Sequence, residues 1–565
     1  MYMDRKGGKK FLYFLLLYVR LKQCWEDLRM GLKTRMFLAI SLLFGILFAF
    51  FMGLTYYFYY VGAIGGIWII IIPVALAVAI VLLQWALSPL ILKWIYKIEW
   101  VAGYTPEIDT YIEDVVRKYN IKKPTLGIIR DGNPNAFCFG WTRNKSFLVI
   151  TEGILRYCDE DEAKAVVGHE LGHIAHNDFV VMTIVAAVPL IFYVIFRGAL
   201  ALLRASGRSR GKSSGYAAMA AIVVAAVSFV IYLLSQLVAL LISRYREYWA
   251  DRFSAETTGD PSKLSSALVK IAYGLAVEGG GGKAEKGHRR YENALMIFNA
   301  NQARALAVNA TAGMGFVDKE RIKKAMAWDL WNPWAFFLEL KSTHPLPAKR
   351  IVELDRLAEK MGKLPFIKFE ERRPESYWDE FIEDVLVSNL WVFSFPLSLL
   401  VFLYSDFTKA VGTFFVSLGV FILIYFLTLK YPFSFKKRNV GELLEDVKVS
   451  PVRSRPVILK GRIIGRGVPG LFYSEDLKLD DGTGLVLLDY HQIANFIDFL
   501  VGVFATEEKI GQEVEVWGWY RRKIIPYVEI YKMKIGGRWK KIYTQKLYYA
   551  VAALLALLGV PFFLL

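Results

Sequence analysis

Cysteine is nearly absent from this chain of 565 residues. It occurs three times, as Cys24, Cys138 and Cys158, and no two of these positions have a paired spacing. A disulfide-stabilised scaffold is therefore excluded, because such scaffolds depend on several paired cysteines. The soluble parts of the chain are expected to face a reducing compartment, the cytoplasm.

Charged residues and histidine are missing from seven long apolar runs. These runs cover residues 36–60, 67–92, 179–196, 216–243, 389–404, 410–429 and 547–565. With 55% hydrophobic residues in the whole chain, they predict a mainly α-helical protein that crosses a membrane several times. A transporter with an ion relay is excluded, because such a relay needs ionisable side chains inside the membrane.

Acidic residues are outnumbered, with 52 Asp and Glu against 70 Lys and Arg. A basic excess fits contact with an anionic lipid bilayer, and nucleic acid is the other partner that a basic chain suggests. Nine basic residues fall within residues 1–35, so this interfacial segment is expected in the cytoplasm. If each run crosses the membrane once, counting from this end places the polar blocks 94–178, 244–387 and 440–543 together on the cytoplasmic side.

One loop conflicts with this topology. Residues 204–215 are basic, yet parity places them outside the cell, against the positive-inside rule. The conflict disappears if the hairpin 179–243 enters the bilayer only partway. Whether this loop crosses the membrane is therefore left open by the sequence.

Histidine is scarce as well, with six in the chain, but three of them lie between residues 169 and 176. Positions i and i+4 of a helix share a face, so His169 and His173 can place two imidazoles on one Zn²⁺. Glu170 follows the first of them, where a carboxylate can take a proton from an attacking water molecule. Asp159, with Glu162 three residues later, predicts the N-terminus of this helix.

A zinc peptidase uses three protein ligands, so one more is needed. His176 is poorly placed to complete a tetrahedron from the same helix and is interpreted as an interfacial polar residue. Glu247 is a better candidate, and Asp251 is spaced i, i+4 from it on a predicted helix. One of these carboxylates can bind the metal while the other accepts the free ring N–H of a ligand histidine.

Four motifs in this order resemble the HtpX/CAAX-prenyl-endopeptidase family of integral-membrane zinc metallopeptidases. In chain order they are Asn133-Pro-Asn135-Ala136-Phe137, His169-Glu-Leu-Gly-His173 with Asp178, Glu247-x-x-x-Asp251 with an alanine before the aspartate, and Ser342-Thr-His344-Pro with Arg350. The resemblance covers roughly residues 30–360 and implies a gluzincin-type metalloprotease core with a small β-sheet. Two spans before the zinc helix and two after it match the HtpX branch.

The resemblance also implies the roles of the site residues. One catalytic Zn²⁺ would be held by His169, His173 and Glu247, with Glu170 as the general base. His344 would help to stabilise the oxyanion, where a donor opposite the metal is needed. The residues implied to support the metal ligands are Asp178, Asp251 and Arg350, of which Arg350 would hold the region around Glu247 and His344.

A substrate would add as a β-strand along the segment that contains Asn135, Ala136 and Phe137, or along the neighbouring apolar segment Phe147–Thr151. The expected substrates are membrane proteins or unfolded polypeptides at the cytoplasmic membrane surface, as in quality control. A prenyl-protein endopeptidase and a non-catalytic scaffold of the same fold are the alternatives. The sequence does not specify an oligomeric state.

Residues beyond the resemblance form an added module. Candidate strands at Val457–Ile464, Leu485–Tyr490, Glu513–Tyr520 and Tyr527–Met533 predict a C-terminal β-barrel that is OB-like. Its basic and aromatic residues suit single-stranded nucleic acid, but a membrane-tethered barrel is expected to have a regulatory, membrane-surface or substrate-handling role, and no nucleic-acid partner is expected.

The predicted organisation of the chain follows from these observations. In order, it comprises a basic segment 1–35, a membrane hairpin 36–92, a metallopeptidase domain 93–387 that contains the inserted hairpin 179–243, a second hairpin 388–430, the β-rich domain 431–543 and a last membrane segment 544–565.

Overall fold

The computed structural model describes residues 41, 42, 45, 67–206, 212–278, 319–369, 375–466, 477–489, 510–523 and 526–563. Several predicted features lie wholly or partly outside the described residues. They are the basic segment 1–35, the first apolar run 36–60, the middle of the loop 204–215, parts of the polar block 244–387 and of the β-rich domain 431–543, and the end of the last run 547–565.

The elements alternate between long helices and short strands. The helices are α1 (Ile67–Ile95), α2 (Pro106–Lys118), α3 (Glu152–Tyr157), α4 (Glu160–Ala175), α5 (Asp178–Ser206), α6 (Lys212–Thr258), α7 (Pro261–Glu278), α8 (Lys319–Trp331), α9 (Pro333–Glu339), α10 (Pro347–Lys360), α11 (Trp378–Ser388), α12 (Ser394–Tyr404), α13 (Phe407–Tyr425), α14 (Val440–Glu445) and α15 (Thr544–Gly559). The strands are β1 (Glu99–Val101), β2 (Thr125–Ile129), β3 (Ala136–Thr142), β4 (Lys145–Thr151), β5 (Lys436–Lys437), β6 (Arg455–Arg466), β7 (Leu477–Asp480), β8 (Leu485–Asp489), β9 (Glu513–Arg522), β10 (Pro526–Ile535) and β11 (Arg538–Lys541).

Several described helices are long and apolar enough to cross a membrane. They span Val78–Ile95, Asp178–Arg204, Ala218–Thr258, Phe407–Lys430 and Thr544–Phe563. An uncharged run of this length can bury its backbone in hydrocarbon only as a helix, because all of its backbone hydrogen bonds are then internal. The prediction of a mainly α-helical protein with several membrane spans is confirmed.

The run predicted to cross at 389–404 has a different form. Its helix α12 has 11 residues, about 16 Å, which is half the thickness of a hydrocarbon core. Helices α11 and α12 are joined at a bend of 51°. The amide of Asn389 donates to the carbonyl of Val385 at 2.8 Å and ends α11 there. The segment is a broken span or a re-entrant turn.

The chain divides into two compact units, and α1, α5 and α6 each run through a boundary between them. The first unit contains residues 1–85 and 180–249. Within it, α5 packs on α6 through a small apolar cluster. This cluster is formed by Val185, Val188, Phe192 and Ile242, all buried.

The second unit contains residues 86–179 and 250–565 and begins with a four-stranded sheet. The strand order is β1-β2-β4-β3, with β2 and β4 parallel and the other pairs antiparallel. Every position from Phe147 to Thr151 in β4 is buried or nearly so, as expected for a strand with neighbours on both sides. Strand β3 is therefore an edge of the sheet.

The C-terminal strands close on themselves. Strand β6 pairs with β7, β7 with β8, β8 with β10, β10 with β9, and β9 again with β6. The β8–β10 pair is parallel and the others are antiparallel. The predicted barrel is confirmed, whereas its OB-like assignment stays a prediction. Sequence patterns missed β7, which is only four residues long.

The barrel is fastened to helix α8 rather than tethered by a linker. The guanidinium of Arg522 in β9 is fully buried and donates to the carbonyls of Ala325 at 2.7 Å and Leu444 at 2.6 Å. It also lies 5.0 Å from the ring of Trp328, whose indole N–H donates to the carbonyl of Val449 at 2.7 Å. Because a buried cation requires partners, these contacts fix the barrel on the helix.

Helix α10 holds the segment that follows it through one carboxylate. Asp355 accepts hydrogen bonds from the backbone N–H groups of Phe366 at 2.9 Å and Ile367 at 3.2 Å. Burial raises the pKa of Asp355 to about 7, against the opposing effect of the two N–H groups. The charges that face it are Glu359, which raises the pKa further, and Lys319, which lowers it.

This carboxyl makes stability depend on pH. The folded chain keeps the Asp355 proton up to a pH of about 7, whereas an unfolded aspartate loses it near pH ~4. Its contribution to stability is therefore complete below pH ~4, declines as the pH rises to neutrality, and is constant above that. We expect the unfolding temperature of wild type minus that of Asp355→Asn to decrease as the pH rises over this range. Glu353→Gln, an exposed change on the same helix, should show no such trend in thermal unfolding. A pH-independent difference for Asp355→Asn would contradict the assignment.

Candidate metal centre

Helix α4 begins with the capping box that the sequence predicted. Asp159 accepts from the backbone N–H of Glu162 at 2.9 Å, and the Glu162 carboxylate accepts from the N–H of Asp159 at 2.8 Å. Helix α7 adds two further contacts that sequence reasoning missed. Ser266 and Lys270 each donate to the buried Glu162 carboxylate at 2.6 Å. Both oxygens of the Glu162 carboxylate therefore accept hydrogen bonds, and these contacts hold the start of α4 in place.

Two glycines let another helix approach α4 closely. A Cβ on Gly172 would lie 3.0 Å from the Cα of Ala250, and one on Gly168 would lie 2.3 Å from the Tyr111 hydroxyl and 3.4 Å from the Cα of Ser254. The hydroxyl of Ser254 also donates to the carbonyl of Ala165 at 2.6 Å. The glycine inside the His-Glu-x-x-His motif is therefore explained by packing against the end of α6.

The end of α4 turns the chain directly into α5. His176 is the C-cap, and Asn177 follows with a φ of 59°, a left-handed conformation that asparagine tolerates well. The Asn177 amide oxygen accepts from the backbone N–H of Arg143 at 3.0 Å. Asp178 then begins α5, where its carboxylate is within reach of α4. His176 packs edge-on against Phe253 and is not part of the candidate ligand group.

Each imidazole of the motif is held by a carboxylate. The Nδ1 atom of His169 lies 2.9 Å from an oxygen of Asp251, and that of His173 lies 2.5 Å from an oxygen of Asp178. A carboxylate beside Nδ1 favours the tautomer with its proton there and its lone pair on Nε2. The two Nε2 atoms are 3.2 Å apart, so two lone pairs face the same small space.

Arg350 completes the support of His169. It is fully buried on α10, and its Nε donates to one oxygen of Asp251 at 2.9 Å while an Nη donates to the other at 2.5 Å. The same Nη is 3.5 Å from the His169 ring. These two hydrogen bonds orient the Asp251 carboxylate, which in turn orients the His169 ring. Arg350 therefore acts through Asp251, which had not been specified from the sequence.

The third candidate ligand is Glu247, four residues before Asp251 on α6 and three residues before the second unit begins. One donor atom from each of His169, His173 and Glu247 falls within 4.8 Å of the others, and all three residues are buried. Two imidazole nitrogens and a carboxylate oxygen suit Zn²⁺, for which Zn–N and Zn–O distances are about 2.0–2.2 Å. Facing lone pairs repel one another unless a cation lies between them, so the residues present fit this metal. Of the two open assignments, Glu247 is placed to bind metal and Asp251 to hold a histidine.

Glu170 is buried beside His169 on α4. Tyr104 lies near it and was missed by sequence reasoning, since nothing marks a lone tyrosine as important. Its hydroxyl donates to the carbonyl of Leu148 at 2.7 Å and lies 3.2 Å from that of Gly127. Burial strongly raises the pKa of Tyr104, so this hydroxyl stays neutral and ties β2 to β4.

His344 lies in the turn between α9 and α10, six residues before Arg350. Its ring Nδ1 is 2.9 Å from the Thr343 hydroxyl, and its backbone N–H donates to the Ser342 hydroxyl at 3.3 Å. The turn is closed by Glu339, which accepts from the backbone N–H of Leu346 at 3.1 Å and pairs with Lys349. His344 is thereby held in a defined and buried position.

The predicted substrate segment lies at the start of the edge strand. Asn135 and Thr151 are joined by backbone and side-chain hydrogen bonds of 2.8 and 2.9 Å, after which Ala136 pairs with Ile150 and Phe137 with Val149. Strand β3 also contacts α4. The alternative segment Phe147–Thr151 is excluded as a docking edge, because β4 lies between β2 and β3.

Comparisons with known proteins identify a matching family and several similar proteins. The model of "Peptidase family M48" matches residues 104–358. A "Protease HtpX homolog" from Methanothermobacter thermautotrophicus is 38% identical over 246 residues, 43% of this chain and 87% of that protein. Another from Aeropyrum pernix is 32% identical over 287 residues, 51% of this chain and 86% of that protein. Among solved structures, S. mikatae Ste24p matches over 55% of this chain and 66% of its own, with 18% identity and a TM-score of 0.32.

The support of His169 can be tested through metal affinity. Asp251→Asn removes the charge that orients both His169 and Arg350, and loss of such an outer partner typically weakens metal binding about 10–100-fold. We expect this loss for Zn²⁺ in a chelator competition with the detergent-purified chain. Glu256→Gln is the matched control on the same helix, since its side chain is exposed and pairs with Arg252. Equal affinities for the two variants would show that Asp251 does not hold the ligand.

Proposed function

Because this chain belongs to peptidase family M48, as its motifs predicted, we propose that it is a zinc-dependent endopeptidase. Family membership and the membrane-spanning helices together make it a membrane metallopeptidase. The observation that carries the proposal is the pair of imidazoles, each backed by a carboxylate, with Nε2 atoms 3.2 Å apart. The donor group that includes Glu247 supports zinc as the metal.

Glu170 serves as the general base. A zinc ion at this site polarises a peptide carbonyl and lowers the pKa of water, which makes hydrolysis feasible at neutral pH. Glu170 takes the proton from the attacking water and later passes it to the leaving amine. Its buried position next to His169 on α4 supports this role, because it places the carboxylate beside the residues that would hold the metal.

His344 stabilises the negative charge that develops on the carbonyl oxygen. The Thr343 hydroxyl lies 2.9 Å from Nδ1; when this hydroxyl donates to Nδ1, the ring carries its proton on Nε2 and can donate from there. A preorganised donor at such a position stabilises the transition state more than the bound substrate. The hydrogen bonds that close the turn around His344 supply the preorganisation.

A peptide substrate binds as an added strand along β3. The sheet order leaves β3 at the edge, and an edge strand offers its backbone groups to an extended peptide. Ala136 and Phe137 begin this strand and Asn135 directly precedes it, so these three residues lie where the added strand would pair. Binding through the backbone suits polypeptides of varied sequence, such as misfolded proteins.

The substrates are membrane proteins or unfolded polypeptides at the cytoplasmic surface of the cell membrane. Helix α6 has 47 residues, about 70 Å, more than twice a hydrocarbon core of about 30 Å. Its C-terminal part, which carries Glu247 and Asp251, therefore extends beyond the bilayer. The basic residues 1–35 favour the cytoplasm as the side of this surface.

The central test is cleavage of an unfolded protein such as casein by the detergent-purified chain. Glu170→Gln keeps the shape of the side chain and removes the base, so we expect cleavage to fall by at least about 1000-fold with zinc content unchanged. Glu160→Gln, exposed at the start of the same helix, should cleave like wild type.

Other outcomes of this test identify the alternatives. If wild type holds zinc and leaves casein intact, prenylated peptides become the next substrates, and failure there as well would identify a non-catalytic scaffold. If wild type binds no metal, the ligand assignment is wrong and the proposed function falls with it.

Kinetic measurements can distinguish the role of His344 from that of a metal ligand. Removing one donor to the oxyanion typically lowers kcat about 100-fold or more. We expect His344→Ala to lower kcat by this factor, with KM changed less than about threefold and with zinc retained. Thr343→Val, which removes the hydroxyl beside Nδ1, should cause a smaller loss. A variant that lost zinc would instead place His344 among the ligands.

A further inference from the structure

The C-terminal barrel is held at the membrane by two spans. Helices α13 and α15 pack closely at glycines, since a Cβ on Gly419 would lie 2.4 Å from the backbone N of Ala556. The C-terminal end of α13 and the N-terminal end of α15 both join the barrel. The two helices therefore leave the bilayer on the same side, and the barrel residues at their ends lie at the membrane surface.

Hydrogen bonds fix the ends of both spans to the barrel. Arg521 of β9 donates to the carbonyl of Lys430 at 2.6 Å, and the Tyr549 hydroxyl of α15 donates to the carbonyl of Tyr431 at 3.0 Å. Gln545, at the start of α15, donates to the carbonyl of Ile530 in β10 at 3.3 Å. The orientation of the barrel relative to these two spans is thus determined.

The two segments that join the barrel to the spans are strongly basic. Residues 430–438 contain four basic and no acidic residues, and residues 538–546 also contain four basic and no acidic residues. Two acidic residues of β9 and β10 are paired with other basic residues: Glu529 with Arg521 at 2.7 Å and Glu515 with Lys460 at 3.3 Å. The segments therefore form a surface with one sign of charge.

Strand register brings both segments onto one face. Lys437 of β5 is paired with Ile458, Ile458 with Trp517, Trp517 with Lys532, and Lys532 with Lys541 of β11. Residues paired across strands point to the same side of a sheet. Val516 and Met533, which alternate with this row, are buried inside the barrel. The row therefore lies on the outer face, and we call it the lysine row.

Exposed aromatic side chains accompany the lysine row. Phe433, Trp539 and Tyr543 are 56%, 43% and 55% exposed, which is costly for such rings in water. The Lys532 ammonium lies 3.6 Å from the centroid of the Trp517 ring and 4.7 Å from that of Trp539. Aromatic rings interleaved with lysines are characteristic of the interface between hydrocarbon and lipid headgroups.

We propose that the lysine row, with Lys534 and Trp539 on the same face, binds the anionic headgroups of the bilayer through which α13 and α15 pass. Charge complementarity and the attachment of both segments to membrane spans support this partner. Single-stranded nucleic acid is also attracted to basic and aromatic surfaces, but it does not account for exposed rings beside the ends of two spans. Since Arg522 locks the barrel onto α8, lipid binding holds the peptidase part of the second unit at the same surface.

The test is hydrogen exchange of the full chain in nanodiscs of phosphatidylcholine or of phosphatidylglycerol. We expect the backbone amides of residues 433–439 and 538–543 to exchange at least about tenfold more slowly in the anionic lipid, because each lysine near such a surface adds several-fold to the docked population. High salt should remove the difference. The test variant carries glutamine at four lysines whose strand positions share the outer face: Lys437→Gln, Lys532→Gln, Lys534→Gln and Lys541→Gln.

Two controls accompany this variant. Arginine at the same four positions keeps the charge and should keep the lipid-dependent protection. A matched set of exposed lysines elsewhere should also leave it unchanged: Lys118→Gln, Lys122→Gln, Lys360→Gln and Lys363→Gln. Casein cleavage in phosphatidylcholine nanodiscs verifies that all variants are folded.

Three results would overturn the proposal. Equal exchange in the two lipids would exclude a preference for anionic headgroups. Full protection in the glutamine variant would assign the effect to other residues. Protection by a single-stranded oligonucleotide in neutral nanodiscs, without any effect of phosphatidylglycerol, would identify a nucleic-acid surface instead.

Discussion

The buried contact between Arg350 and Asp251 is the interaction on which the rest of the site depends. An arginine with no exposed surface is tolerated only when its charge is paired and its donors are used. Asp251 supplies both oxygens to it at 2.9 and 2.5 Å and still contacts the His169 ring at 2.9 Å. One carboxylate therefore joins α10, α4 and the end of α6, three helices that are distant in the sequence.

Close packing around α4 allows this arrangement. Gly168 and Gly172 remove the side chains that would keep the end of α6 away, and the Ser254–Ala165 hydrogen bond of 2.6 Å closes the contact. At its other end, the left-handed Asn177 lets α5 begin at Asp178, whose carboxylate holds His173. Both imidazoles are thus oriented by residues at the ends of long apolar helices.

The C-terminal barrel is also held by a buried arginine. It lies in a part of the chain that the family match does not cover, because that match ends at residue 358. Arg522 is a buried cation at the contact with α8 that donates to the carbonyls of Leu444 and Ala325, whereas Arg350 at the site pairs with the Asp251 carboxylate. Two spans hold the opposite side of the barrel. The barrel is therefore connected to both the bilayer and the peptidase fold, which explains why its outer face combines charge with exposed rings.

Local patterns in the sequence determined much of this protein. Uncharged runs predicted the spans, because hydrocarbon excludes unpaired charge, and the i, i+4 spacing of His169 and His173 fixed their common face. Asp159 and Glu162 marked the start of α4 because capping involves only neighbouring residues. Alternating strand patterns predicted a barrel but missed the four-residue β7, which is too short to show a period. The run at 389–404 was apolar enough to span, yet Asn389 lies at a 51° bend between α11 and the helical residues 390–404.

Contacts between residues distant in the chain were decided by the tertiary structure alone. The spacing of Glu247 and Asp251 left open which would bind metal, and only the position of Arg350, 99 residues after Asp251, assigned their roles. Sheet order, not apolarity, made β3 rather than β4 the free edge, because an edge is defined by what lies beside a strand. The lysine row likewise joins five strands by register, and no local sequence signal records such a pairing.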